Sequence, residues 1–588
     1  MATDEQEKLS PVEISKIESN YLRGDIAPEL VDGNDHFGKD SVQLLKVHGT
    51  YQQDDRDTRA ASRAAGGAKS DKVFTFMVRT KIPGGKLTSE QLLAELDLCD
   101  EVGNTTLRVT SRQGLQLHGV VKGDLKRTIR RINDVQLSTL AACGDVERNV
   151  MCCPAPHYQD PVHDQMQRLA DRIAEHLCPR TRAYHEIWLT DGSNGARSLV
   201  GGGEPEPDVE PIYGPTYLPR KFKTAVGLCG DNCVDIYTND LGLLAVCEDY
   251  KIIGYNVLVG GGMGVTPSAK KTFPALAKRM AFITPDQAVD VAEAIVKVQR
   301  DYGNRSDRKV ARLKYLIANR GLDWFKSKVE EYYGQSLPDP HPDDVHGFDD
   351  HLGWHEQGDG RWFYGLNIEN GRILDGELSN GTSLQLKAAL RELCGTFRPG
   401  IRLTPHQSML FTDIAASDRT AIEDLLRRHR IKLSHQISNA RRWSMACVAW
   451  PTCGLAITES ERALPGIIDQ LEPELHRLGL SSETFTIRMT GCPNACARPY
   501  NSDVGLVGKT AGKYTIYVGG RLLGNRLNFV YKDLVPGEQI VSELVPLLMF
   551  FKSARHDGET FGDFCDRQGA EKLLGWTADY AAQNGAGI

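Results

Sequence analysis

The chain has 588 residues, 40% of them hydrophobic and 25% charged, with a formal net charge of −7. That length accommodates about three or four domains with sizeable cores, and the acidic balance gives no support to a nucleic-acid partner. Apolar runs such as "LVPLLMFF" at 544–551 are too short to span a bilayer, and "MATDEQEK" lacks the basic and apolar regions of a secretory leader. The cytosol is the expected compartment, with no membrane partner.

In chain order, Gly- and Pro-rich polar stretches near 61–72, 201–211 and 334–350 mark expected boundaries. They divide the chain into an N-terminal extension (1–70), a first repeated unit (71–150), a mixed α/β unit (151–345), a second repeated unit (346–430) and a second mixed unit (431–588).

The repeat is direct. Residues 88–113, "TSEQLLAELDLCDEVGNTTLRVTSRQ", align without a gap on 382–407, "TSLQLKAALRELCGTFRPGIRLTPHQ", at an offset of 294. Nine of the 26 positions are identical, among them Thr88/Thr382, Gln91/Gln385, Arg108/Arg402, Thr110/Thr404 and Gln113/Gln407. Each copy reads as helix then strand. Thr88 with Gln91 forms a capping box, and Leu92, Leu93, Leu96 and Cys99 form an apolar stripe. "TLRVTSR" alternates as a strand, which puts Arg108, Thr110 and Arg112 on one face. A weaker echo links "YNVLVGGGMG" at 255–264 with "YTIYVGGRLLG" at 514–524. Neither follows the dinucleotide-binding pattern, so no flavin or nicotinamide site is expected in this chain.

Fourteen cysteines are too few for a disulfide scaffold in a chain of this size. Cys99, Cys178, Cys247, Cys394 and Cys565 stand alone and read as small buried hydrophobes. Cys152–Cys153 and the "LCGDNC" pair Cys229 and Cys233 read as incidental. Cys447-x5-Cys453 and Cys492-x3-Cys496 are different: two loops bring four thiols. Zinc is one reading, although its pairs are usually two to four residues apart. An iron–sulfur cube is the other, and its size tolerates wider spacing. Pro493 suits the first turn of a short helix with Cys492 at its cap, where N–H groups favour thiolate.

The motifs "TGCPNACAR", "ESNYLRGDI", "HGTYQQDDRD", "ACGDVERNVMC", "TYLPRKFK", "GYNVLVGGGMG", "QRDYGNR", "ARLKY" and "GLVGK" extend over nearly the whole chain. Together with the cysteine quartet they resemble the siroheme-containing nitrite and sulfite reductases, in particular the haemoproteins of NADPH-dependent assimilatory sulfite reductase. The resemblance implies an internally duplicated α/β (α+β) fold, with two ferredoxin-like repeats and two further mixed domains. It implies six-electron reduction of sulfite to sulfide, in sulfate assimilation and cysteine biosynthesis. It also implies a 4Fe–4S cluster on Cys447, Cys453, Cys492 and Cys496, with Cys496 shared with the siroheme iron. Siroheme carries eight carboxylates, which arginine forks grip well. The resemblance places Arg108, Thr110, Arg112, Gln116, His118 and Asn149 along the cofactor, and Arg79, Arg148, Lys221 and Lys223 around sulfite. It implies a separate NADPH-dependent flavoprotein as electron donor, with ferredoxin as the alternative. Two rival functions remain: an assimilatory nitrite reductase, and a non-catalytic iron–sulfur or zinc protein. Ala495 departs from the glycine of many relatives.

Overall fold

The computed structural model describes residues 8–66, 72–184, 188–190, 197–199, 210–377 and 383–584. The expected boundary stretches at 67–71 and 201–209 lie outside the described residues.

Both repeated units build a helix-backed sheet, and one hydrophobic core serves the two. The helix Ser89–Glu101 opens on the predicted capping box, with Thr88 accepting from Gln91 N–H and Gln91 reaching back. Its Leu92 and Leu96 meet Leu390 and Leu393 of the helix Leu386–Phe397 in that shared core. Each such leucine contributes roughly 1.5–3 kcal/mol by leaving water. The two sheets also exchange edge strands. The first runs Thr50–Asp54, Phe74–Thr80, Leu115–Val120, Leu107–Val109 and then Arg372–Ile373 from the second unit. The second runs Gly353–Glu356, Trp362–Leu366, Met409–Ile414, Gly400–Leu403 and then Lys86–Leu87 from the first.

The predicted strand through Arg112 is shorter than expected. It stops at Val109, and the chain turns over Thr110–Gly114. The cause is local: Thr110 Oγ1 accepts the N–H groups of Arg112 (3.3 Å) and Gly114 (3.1 Å), and Gln113 takes φ +53°. The second copy makes the same turn, with Thr404 Oγ1 accepting Ser408 N–H at 3.0 Å and Gln407 at φ +66°. The repeated Thr and Gln therefore encode a turn, not a strand face.

The remaining chain forms two mixed sheets of matching topology. One orders Met151–Cys152, Thr224–Leu228, Leu241–Glu248, Lys251–Val259 and Lys278–Ile283. The other orders Ser444–Ala446, Ile487–Thr490, Val504–Thr510, Lys513–Val518 and Phe529–Pro536. In both, the first three strands are parallel and the last two antiparallel. Each has its own core, covered by helices such as Ala288–Tyr302 and Ile540–Ala554. The weak 255/514 echo is real in register: Val259 pairs with Leu241 as Val518 pairs with Val504. Among the described residues, no helix is long and apolar enough to cross a membrane.

Candidate active site

Ligands of open α/β sheets gather beyond the carboxyl ends of parallel strands, and the quartet sits there. Cys447 follows the strand Ser444–Ala446, and Cys492 follows its parallel neighbour Ile487–Thr490. Cys447, Cys453, Cys492 and Cys496 act on one another electrostatically, and burial with the neighbouring sulfurs pushes the Cys447 and Cys492 thiols up to about 12. Such thiols ionise only against a strong local positive charge, which a bound metal cluster provides. Among the described residues, the group whose metal-ligating atoms all lie within 4.8 Å of one another is elsewhere in the molecule.

The predicted helix at "CPNAC" does not form. Ala495 (φ +57°) and Arg498 (φ +54°) break any helical run, and the segment is a series of turns. Local groups still reach the sulfurs: Gly491 N–H lies 3.4 Å from Cys447 Sγ and Asn494 Nδ2 3.5 Å from Cys492 Sγ. Cys496 is the exposed member of the four.

Both ferredoxin-like units grip this loop system. Arg108 and Gln407 each donate to Ala446 O, at 2.7 and 2.9 Å, immediately before Cys447. Ser111 Oγ donates to Cys496 O at 2.9 Å. From the N-terminal extension, Arg56 donates to the carbonyls of Pro451, Cys453 and Ala456, and its guanidinium lies 3.9 Å from the Trp450 ring centre. Sequence reasoning quoted the "YQQDDRD" motif without assigning Arg56. Its signal was an arginine placed far from the cysteines in sequence, which spacing alone cannot connect to them.

The predicted cations converge on the same region. Arg79 and Gln116 are cross-strand partners, and the Gln116 carboxamide, oriented oxygen-first, accepts Arg79 Nε–H at 3.0 Å. Arg79 also reaches Cys143 Sγ at 2.8 Å. Arg148 donates to Gly144 O at 2.9 Å and bonds Tyr51. Lys221 and Lys223 flank buried Phe222 in the extended approach to the strand Thr224–Leu228. Burial, then Arg220, Arg148 and Arg312, bring Lys221 down to about 7, and Lys223 is lowered for like reasons. Burial holds Arg112 at about 9 and Arg108 at about 10. So many cations sharing one low-dielectric region suit a polyanionic ligand.

Individual assignments sharpen. Arg108 pairs with Glu461 and lies beside Cys447. Arg112 donates to Asn239 Oδ1 (2.8 Å) and Asn149 O (2.7 Å), while its buried Nε has no partner within the protein. His118 Nδ1 meets Gln53 Oε1 at 3.1 Å, and its buried Nε2 is also without a protein partner. These two nitrogens are the kind of orphans a buried carboxylate satisfies. Asn149 differs: its carboxamide is consumed by the backbone of Ile82, Arg112 and Gln113, so it positions the Arg112 turn. Thr110 likewise spends its oxygen on that turn. Two cations passed over in the sequence stand nearby: Arg312, paired with Asp240 at 2.6 Å, and buried Lys314, bonded to Gly262 O and Gly264 O at 2.9 Å.

The two halves meet at a buried ion pair. Asp235 lies 2.6 Å from Arg498 and 2.8 Å from Arg488. Burial opposes its ionisation, but the two guanidiniums prevail and hold its carboxyl at about 2.

This duplicated scaffold, with its cysteine loops facing a cationic wall, is a redox cofactor fold. The nitrite and sulphite reductase 4Fe–4S domain matches residues 168–337 and 438–584, and the nitrite/sulfite reductase ferredoxin-like half domain matches 68–135 and 355–429. The chain belongs to the nitrite and sulfite reductase family. It is 43% identical over 564 residues to the NADPH sulfite reductase hemoprotein beta-component of Staphylococcus saprophyticus, covering 96% of each chain. It is 43% identical over 590 residues to the ferredoxin sulfite reductase of Synechococcus elongatus, covering 98% of this chain and 92% of that one. The solved structure of the NirA protein of Mycobacterium tuberculosis shares the fold, with TM-score 0.75 and 23% identity over 95% of both chains.

Proposed function

We propose that the chain is the haemoprotein of an assimilatory sulfite reductase. The observation that carries this is the placement of four cysteines at the ends of adjacent parallel strands, beside buried cations supplied by the other half. When bound, a 4Fe–4S cluster with siroheme would relay, from an external reductant, the six electrons that take sulfite sulfur from +4 to −2.

The protein's own residues bind, orient and protonate. Cys447, Cys453, Cys492 and Cys496 would hold the cluster, and Cys496, the exposed member of the four, would be the one open to the siroheme as well. Arg108, Arg112, Gln116 and His118 line the siroheme carboxylates, with Thr110 and Asn149 fixing the turn that presents Arg112. Arg79, Arg148, Lys221 and Lys223 hold the substrate anion, each charge-assisted hydrogen bond netting roughly 1.5–3 kcal/mol. Lys221, drawn down to about 7, exchanges protons near neutrality, as removal of the sulfite oxygens as water requires.

Electrons come from a separate protein, since the chain shows no dinucleotide-binding motif. A flavoprotein drawing on NADPH is the favoured donor and ferredoxin the alternative; both kinds of donor appear in the names of relatives of equal identity. The cytosol is the proposed location. Turnover on sulfite and on nitrite with one artificial reductant tests the reaction, and reconstitution with each protein donor tests the partner. Activity on nitrite with none on sulfite would reverse the substrate assignment.

A further inference from the structure

The duplication puts a second set of cysteine loops in the first half, and strand registers show where. Ala225 pairs with Met151 as Arg488 pairs with Met445, and Leu241 pairs with Thr224 as Val504 pairs with Ile487. The first strand of each sheet therefore matches at an offset of 294 and the next two at 263. Gln113 Nε2 donates to Cys152 O at 2.8 Å as Gln407 Nε2 donates to Ala446 O at 2.9 Å, again 294 apart. By these offsets Cys153 stands where Cys447 stands, Cys229 where Cys492 stands, and Cys233 where Cys496 stands. Residues read from the sequence as incidental occupy three of the four cluster positions in the other copy.

They are arranged differently. Cys229 turns to Ala245 O (3.3 Å) and leaves the group. Cys153, Cys233, Asp231 and His351 instead bring two sulfurs, a carboxylate oxygen and an imidazole nitrogen within 4.8 Å of one another, all four residues buried. Cys153 Sγ lies 3.5 Å from His351 Nε2 and 3.0 Å from Asp231 Oδ2, and that oxygen lies 3.0 Å from His351 Nε2. Zinc–ligand bonds of about 2.0–2.3 Å set the edges of a tetrahedron at about 3.5 Å, so the ion is seated if the two closest pairs open by about 0.5 Å and the others, all within 4.8 Å, draw in. Supporting groups are in place. Asp231 Oδ1 accepts N–H from Cys233 and Asp349, both at 3.1 Å, which leaves Oδ2 facing the sulfurs. Asp349 Oδ2 stands 3.7 Å from His351 Nδ1, the carboxylate–histidine arrangement that orients a metal-bound imidazole. His351 is held at φ +57°, an unfavourable conformation for a non-glycine residue.

The geometry points to a structural zinc site on Cys153, Asp231, Cys233 and His351, the first-half counterpart of the iron–sulfur loops. Two thiolates and a carboxylate with one neutral imidazole neutralise a dication to a net −1, and the two thiol protons leave as the metal enters. All four positions are filled by protein, which suits a structural ion rather than a catalytic one. The ion ties the ends of two parallel strands to the stretch that leads into the strand Gly353–Glu356, and so fastens the first mixed unit to the second repeated unit.

The test is elemental analysis and zinc-edge X-ray absorption on holoenzyme produced in zinc-replete medium. The expected result is about one zinc per chain beyond the iron, with a shell of two sulfurs at about 2.3 Å and two N/O at about 2.0 Å. Cys153→Ser and Cys233→Ser are expected to cut zinc at least tenfold while acid-labile sulfide and siroheme stay at the wild-type ratio. If those variants do not fold, the wild-type absorption spectrum still decides. No zinc in the protein and none taken up from added zinc salt, an N/O-only shell, mononuclear iron in its place, or a Cys153–Cys233 disulfide by mass spectrometry would each overturn the assignment.

Discussion

The two halves share a backbone and differ in what their sulfur-bearing loops face. In the second half Cys496 is exposed beside Lys221 and the arginines of the first half. In the first half the matching Cys233 is buried under the chain that leads to His351. The difference teaches that duplication supplied one loop geometry twice, and the surroundings decided its use. Open loops against a cationic wall suit a large anionic cofactor; closed loops with an added imidazole and carboxylate suit one small ion. Even the join follows the symmetry. Asp235 and Arg498, 263 apart, both adopt left-handed backbone and bond each other across the interface.

The largest effect should come from the open side. Cys496→Ser is expected to lose the coupled visible spectrum and to lower sulfite turnover about 1,000-fold or more, which corresponds to roughly 4 kcal/mol of barrier. A normal spectrum in that variant would remove the shared-ligand role. Next, Lys221→Met with Lys223→Met removes two charge-assisted contacts at roughly 1.5–3 kcal/mol each. The expected loss in kcat/KM for sulfite is about 100- to 10,000-fold with siroheme retained; near-normal kinetics would show that these lysines do not hold the substrate. At the join, Asp235→Ala strands two buried guanidiniums. Breaking one partner of a buried pair costs roughly 3–5 kcal/mol, so the variant should unfold at clearly lower urea concentration, and an unchanged midpoint would deny the join its structural weight.

What the sequence disclosed follows the same division. The repeat was legible because a gapless match is a local pattern, and fixed spacing marked the quartet as a candidate ligand set, whereas the lysine pair was singled out only by the family resemblance. The exchanged edge strands were not, because Lys86–Leu87 and Arg372–Ile373 are two-residue pieces whose pairing is purely tertiary. The 263 offset was hidden because the connections between the first two strands of each mixed sheet differ in length. Arg112 was expected on a strand face and stands on a turn instead, since an alternating run and a Thr-stabilised turn look alike until the Thr hydroxyl finds the backbone. Cys153, Asp231, Cys233 and His351 come from three distant segments, so no spacing rule joins them.

A smaller contrast lies in the paired helices. Glu95 is buried, and its equivalent at the 294 offset is Ala389. Burial, only partly opposed by the Thr80 hydroxyl, raises the Glu95 carboxyl from 4.5 to about 7, and its Oε2 has no protein partner. The folded state therefore holds this proton more tightly than the unfolded chain. Its contribution is complete below about pH 4.5, falls as pH rises towards 7, and is flat above that, with a ceiling of about 3 kcal/mol. Glu95→Gln should flatten this part of the stability profile and raise the urea midpoint at pH 8 more than at pH 5. Equal shifts at both pH values would contradict the buried-proton account.

The smallest expected effect is at Ala495, between two of the cluster cysteines. Its φ of +57° is unfavourable for alanine by about 1–2 kcal/mol, whereas the register-equivalent Asn232 is not left-handed and instead donates to Leu523 O at 2.8 Å. Glycine would relieve the strain. It would also forfeit about 0.8 kcal/mol of methyl burial against Met263, Tyr500 and Val507, and about 0.5–1 kcal/mol through the freer unfolded chain. The opposing contributions nearly cancel, so Ala495→Gly should move the urea midpoint for cluster bleaching by less than the equivalent of about 0.5 kcal/mol. A gain well above that would mean the turn is strained beyond its φ alone; a comparable loss would mean that the methyl helps hold the loop around the cluster.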